Sequence, residues 1–88
     1  MRILIIGSGK LGYTLAQRLV DEGHDVTVVE QNENVLQKTA DIVDAMFIRG
    51  NGVSAETLRE AGVEDADIVI IIPRKQAELP KKIQILSA

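Results

Sequence analysis

Ile3-Leu4-Ile5-Ile6-Gly7-Ser8-Gly9-Lys10-Leu11-Gly12 is the stretch that decides the fold. Four consecutive aliphatic residues read as a buried strand, and Gly7 stops it. The glycines form a G-x-G-x-x-G pattern, Gly7 to Gly12. From Lys10 to Glu22, Leu11, Leu15 and Leu19 recur every four residues with Ala16 beside them, which predicts a helix with one apolar face. Gly23 suits the left-handed position that ends such a helix.

Outward from this stretch the alternation continues. Val26, Val28 and Val29 form a second strand that ends at Glu30. Asn32 is placed to cap a short helix carrying Val35, Leu36 and Thr39 on one side. Ala45–Ile48 reads as a third strand, stopped by Gly50-Asn51-Gly52. Ser54 caps a helix with Leu58 and Ala61 inward, and Gly62 ends it. Ile68–Ile72 is a fourth strand, stopped by Pro73. The order β-α-β-α-β-α-β predicts an α/β fold: a Rossmann-like parallel sheet, strand order 3-2-1-4, truncated after the fourth strand.

Residues 1–72 thus read as one nucleotide-binding half-domain and 73–88 as an atypical tail. In the tail, Pro73 and Pro80 bracket a charged stretch, and Lys81-Lys82 precede a short strand signal, Ile83-Gln84-Ile85-Leu86. The gap is too short for an ordinary parallel crossover of about 10–12 residues or more. Antiparallel pairing, pairing with another chain and disorder all stay open for it. In a 3-2-1-4 sheet the fourth strand would be an apolar edge, which invites pairing, so a homodimer is expected with that strand or the tail at the interface.

Composition narrows the classes. Eighty-eight residues make one domain at most. The aliphatic set is rich in β-branched residues, 11 Ile and 9 Val, with only Tyr13 and Phe47 aromatic. That balance favours parallel strands covered on both faces. A net charge of −3 and a pI near 5.0 argue against a nucleic-acid partner, which would call for a basic face. Without Cys there is no disulfide framework, thiolate nucleophile or Cys-based zinc site, and His24 alone makes no His-rich metal site. No apolar run approaches the roughly 18–20 residues of a membrane span, and Ile3–Ile6 is too short for a signal-peptide core. The expectation is a cytoplasmic protein with no direct membrane insertion.

The glycine motif satisfies its context test. It follows a strand, opens a helix, sits in a βαβ unit and has an acidic residue, Glu30, 18 residues after Gly12. Gly7 permits the tight turn, Gly9 lets a phosphate approach the backbone, and Gly12 lets the helix pack on the sheet. The helix start attracts phosphate through free N–H groups and its dipole, and Lys10 can add charge. Glu30 can accept from the ribose hydroxyl pair and should repel a 2′-phosphate. Since neither Gln31 nor Asn32 is basic, NAD is preferred over NADP. Glu30 does not separate NAD(H) from ATP, ADP or AMP, which share the adenosine ribose. Asn51 in the Gly50-Asn51-Gly52 loop either contacts adenine or belongs to a simple turn whose residues suit positive φ. His24, Asp65 and Asp67 fall at the opposite edge of the sheet and read as turn or capping residues.

The glycine motif, the stretch Glu22 to Glu30, the turn Arg49-Gly50-Asn51-Gly52 and the segment Leu58 to Asp67 together resemble the TrkA N-terminal family, the nucleotide-binding halves of RCK domains. The resemblance covers about residues 1–72. It implies a cytoplasmic, non-enzymatic regulatory subunit that binds NAD(H) or an adenine nucleotide and gates a membrane potassium transporter. It also implies site residues. Gly7, Ser8, Gly9, Lys10, Leu11 and Gly12 form the phosphate loop, Glu30 holds the adenosine ribose, and Gly50, Asn51 and Gly52 lie near adenine. Lys10 stands where relatives often have Arg or Gln, and Asn51 where many have Asp. Two other functions remain in view: the cofactor half of an NAD-dependent dehydrogenase, and an assembly fragment that binds no ligand.

Overall fold

The computed structural model describes residues 1–52 and 54–72, and the backbone of 84–87. The charged stretch 74–79 and Lys81-Lys82 lie outside the described residues. The first aliphatic run becomes β1, Arg2–Ile6, followed by α1, Gly9–Asp21. Then come β2 (Asp25–Glu30), α2 (Glu33–Ala40) and β3 (Met46–Arg49). After them stand α3 (Ala55–Glu60), a 3-10 turn at Val63–Asp65, β4 (Ile68–Ile71) and β5 (Gln84–Ser87).

The sheet order is β3-β2-β1-β4-β5. The first four strands are parallel and in the expected 3-2-1-4 order. Their carboxyl ends are flush, with Ile6 opposite both Val29 and Ile71, and Glu30 opposite Arg49. The expectation of an edge at β4 is corrected. β5 pairs with it antiparallel, from Ile68↔Ser87 to Ile71↔Gln84. An antiparallel return needs no helical crossover, so the short connection suffices.

Alternation along each strand sends side chains to two cores. On one face Ile3, Ile5, Val26, Val28 and Ile70 pack with Ala16, Tyr13, Leu15 and Leu19 of α1. On the other, Leu4, Val29 and Val69 pack with Leu58, Ala61, Val63 and Ala66 from α3 and the turn after it. Leu4, Ile5, Val28 and Val29 are fully enclosed, and each contributes about 1.5–3 kcal/mol of transfer free energy. Leu11, expected on the inner stripe of α1, is instead 50% exposed. The buried residues of that helix are Gly12 and Ala16. Close approach of Gly12 to the turn before it sets the rotation of α1 and moves Leu11 outward.

Gly23 ends α1 as expected. Its φ is +91°, its N–H donates to the Val20 carbonyl at 2.9 Å, and the His24 N–H reaches back to Leu19 at 3.1 Å. These two bonds are the Schellman closure.

Candidate nucleotide site

The residues singled out for binding all follow the carboxyl ends of strands. Gly7–Gly12 leave β1, Glu30 ends β2, and Gly50–Gly52 leave β3. In an open parallel sheet this is the edge where ligands bind.

The three motif glycines meet different constraints. Gly7 has φ +100°, and a Cβ there would stand 2.9 Å from the Ile72 carbonyl oxygen. A Cβ on Gly12 would stand 2.7 Å from the Gly7 carbonyl oxygen, so only glycine lets α1 sit this close to the turn. Gly9, with φ +64°, is different: no atom lies within 4 Å of where its Cβ would be. The turn is packed at both ends and open in the middle.

Glu30 is the last residue of β2 and only 8% exposed. Its Oε1 accepts from the Ser8 N–H at 2.7 Å and its Oε2 from the Asn32 N–H at 2.7 Å. One carboxylate therefore holds both the glycine turn and the loop into α2. Each carboxylate oxygen has two lone-pair sites, so each can still accept from a vicinal diol. Sequence reading missed this anchoring role, which depends on a tertiary contact.

Ser8 is the residue before α1, where serine commonly accepts from the helix's own N–H groups. Here its side chain makes no capping bond. Its Oγ is buried without a partner, in a residue 6% exposed. The first helical bond of α1 runs from the Gly12 N–H to the Ser8 carbonyl at 3.0 Å. The N–H groups of Gly9, Lys10 and Leu11 precede it and fall in the set that a helix cannot satisfy itself. An unpartnered hydroxyl, a helix start and the open side of Gly9 fit a phosphate group. Lys10 is exposed on the first turn.

The loop after β3 bears on one of the two readings left open for it. Neither Gly50 nor Gly52 has positive φ. Their reason is close approach: a Cβ on Gly50 would lie 2.7 Å from Thr57 Cγ2, and one on Gly52 would run into Ile6 Cγ2. The Gly50 N–H donates to the Glu30 carbonyl at 3.1 Å, and the Asn51 carbonyl accepts from the Ser54 N–H at 3.0 Å. This seats the loop against the ends of β1 and β2.

Sequence reading quoted Arg49 as part of its turn but gave it no role of its own. It lies opposite Glu30 in the β2–β3 register, and its Nη1 is 3.3 Å from Glu33 Oε1. The signal available was positional, since Arg49 ends its strand as Glu30 does.

The amino edge of the sheet is built differently. The Arg2 N–H donates to Asp67 Oδ2 at 2.8 Å, and the Asp67 N–H returns to the Arg2 carbonyl at 2.8 Å. Asp67 thus ties the entry of β4 to β1, and His24 Nδ1 lies 3.4 Å from the Met1 amino group. A cavity of about 140 Å³ at this edge is lined by Leu4, Thr27, Met46 and Ala61 among others. Its volume is under half of the roughly 300 Å³ at which ligand pockets begin. Among the described residues no helix is long and apolar enough to cross a membrane.

Sheet order and glycine turn together define a Rossmann-like α/β domain. A Bacillus halodurans protein assigned as an NAD-dependent epimerase/dehydratase has the same fold, with a TM-score of 0.61 over 89% of this chain and 37% of that one, at 20% identity. Residues 3–79 match the TrkA-N domain, and the chain belongs to that family. It is 41% identical over 70 residues to a Trk system potassium uptake protein TrkA homolog of Methanothermobacter thermautotrophicus, covering 80% of this chain and 32% of that protein. The Trk system potassium uptake protein TrkA of Vibrio alginolyticus is 38% identical over 72 residues, covering 82% of this chain and 16% of that protein. The chain therefore spans a third or less of the length of these relatives.

Proposed function

We infer that this domain is the nucleotide-sensing module of a Trk-type potassium uptake system, binding NAD(H) or an adenine nucleotide at the carboxyl edge of its sheet. One observation carries the reading: Ser8 Oγ is buried without a partner at the start of a 13-residue helix, next to the open side of Gly9. In this reading Gly7, Ser8, Gly9, Lys10, Leu11 and Gly12 hold phosphate, Glu30 accepts from the adenosine ribose, and Gly50, Asn51 and Gly52 border the adenine. Binding, not catalysis, is the output. The nucleotide favours one arrangement of assembled domains, and that population shift reaches a membrane transporter from its cytoplasmic side. The relatives' names as potassium uptake proteins support the partner. Self-association belongs to the same reading, now through the outer edge of β5, since an unpaired strand edge is a template for a second chain. Light scattering that finds only monomer would remove that part.

Calorimetric titration with NADH, NADPH, ATP and AMP tests the core of it. NADH is expected to bind, and more tightly than NADPH. A methyl at Gly9 meets no protein atom, and at φ +64° it adds about 1–2 kcal/mol of backbone strain that urea unfolding reads separately from affinity, yet it stands where a phosphate would approach. Gly9→Ala is expected to lose about tenfold or more in affinity, 1.4 kcal/mol per decade, while circular dichroism shows the fold retained. Binding equal to that of the parent would overturn the phosphate-loop assignment.

A further inference from the structure

The carboxyl edge carries a basic residue in register with Glu30. Glu30 and Arg49 are in-register final residues of neighbouring parallel strands. Such residues leave the sheet on the same face, on strands about 4.8 Å apart. Arg49 is thus the neighbour of the carboxylate assigned to the ribose hydroxyls. A guanidinium there is the group that receives a ribose 2′-phosphate, through paired N–H donors. This arginine is already engaged: Nη1 lies 3.3 Å from Glu33 Oε1. Glu33 is the first residue of α2, where the helix dipole favours a carboxylate. Its position follows from Glu30, because the Glu30 carboxylate holds the Asn32 N–H and so fixes the loop between them. The two side chains are 61% and 56% exposed. At that exposure the pair is modest, so it lowers the attraction of the guanidinium for a second anion without abolishing it.

We propose that the Glu33–Arg49 ion pair is a specificity determinant of the nucleotide site: it withholds the Arg49 guanidinium from a 2′-phosphate and reserves the site for an unphosphorylated adenosine ribose. The proposal rests on the nucleotide reading of this edge. It adds a second selector to Glu30. Glu30 repels a 2′-phosphate directly, whereas Glu33 disarms the cation that would attract one.

The test compares NADH and NADPH by calorimetric titration on the parent, Glu33→Gln, Arg49→Gln and the double variant. Both ligands carry the same pyrophosphate, so the ratio of their dissociation constants isolates the 2′-phosphate. In Glu33→Gln, NADPH is expected to gain on NADH by about two- to fivefold, the range open to one exposed ion pair. In Arg49→Gln it is expected to gain nothing. The double variant is expected to lose the gain, because the guanidinium, not the removal of one negative charge, captures the phosphate. An unmoved ratio in Glu33→Gln with NADH binding intact overturns this proposal alone. A gain that survives in the double variant also overturns it. Failure of the parent to bind NADH overturns the nucleotide reading and this proposal with it.

Discussion

The starts of α1 and α2 look alike in sequence and differ in what they leave undone. Each helix follows the carboxyl end of a strand, and each is preceded by a residue of the capping type, Ser8 and Asn32. Glu30 serves both, with one carboxylate oxygen on the Ser8 N–H and the other on the Asn32 N–H. At α2 the cap is made: Asn32 Oδ1 accepts from the Val35 N–H at 3.1 Å. At α1 the cap is not made, and the Ser8 hydroxyl is buried without a partner. A helix start that completes its own hydrogen bonds contributes only stability. One that leaves a hydroxyl and the leading N–H groups uncommitted has donors to spare, which the proposed function assigns to a phosphate, and the cost of leaving a buried polar group unmade falls on the free protein.

Removing what the two starts share gives the largest effect. Glu30→Ala strips an acceptor from the buried Ser8 N–H and from the Asn32 N–H. A buried donor left unsatisfied costs about 1–3 kcal/mol, so the urea unfolding free energy should fall by about 2–3 kcal/mol. A fall under about 0.5 kcal/mol would mean that water replaces the carboxylate and that the turn is held by its glycines alone. Asn32→Ala removes a cap that is made and should cost about 1 kcal/mol in the same assay, with nucleotide affinity retained. Ser8→Ala is the sharpest contrast and the smallest change in stability. It deletes a hydroxyl that bonds nothing, so the unfolding free energy should stay level or rise by up to about 1 kcal/mol, while nucleotide binding weakens. If Ser8→Ala destabilises as Asn32→Ala does, Ser8 is a structural cap and the distinction between the two helix starts collapses.

The glycine motif was readable because its demands are local. A strand that must turn within one residue leaves Gly7 at φ +100°, and Gly9 and Gly12 follow at fixed spacing. Glu30 was readable as the end of β2, since Val26, Val28 and Val29 lead up to it. Its two backbone partners were not, because Ser8 lies 22 residues away and reaches it only through the β1–β2 pairing. Gly50 and Gly52 were readable as glycines in a loop but not in their cause. Turn propensity suggests positive φ, whereas contact with Thr57 and Ile6 is what excludes a side chain. Leu11 shows the same limit. A four-residue period identifies an apolar helix but does not fix which of two adjacent stripes faces the sheet, and the approach of Gly12 to Gly7 settles it.

Sequence by itself determined the element order, the parallel core and the place of the glycine turn, because strand alternation, helix periodicity and glycine backbone freedom are properties of a few adjacent residues. Tertiary structure decided how that turn is held, which helix start remains uncapped, and that Arg49 stands beside Glu30 in the grip of Glu33. It also decided that β5 closes the side of β4 in antiparallel register. These outcomes depend on which strand end comes to lie against which loop, and strand pairing sets that across separations no local pattern encodes.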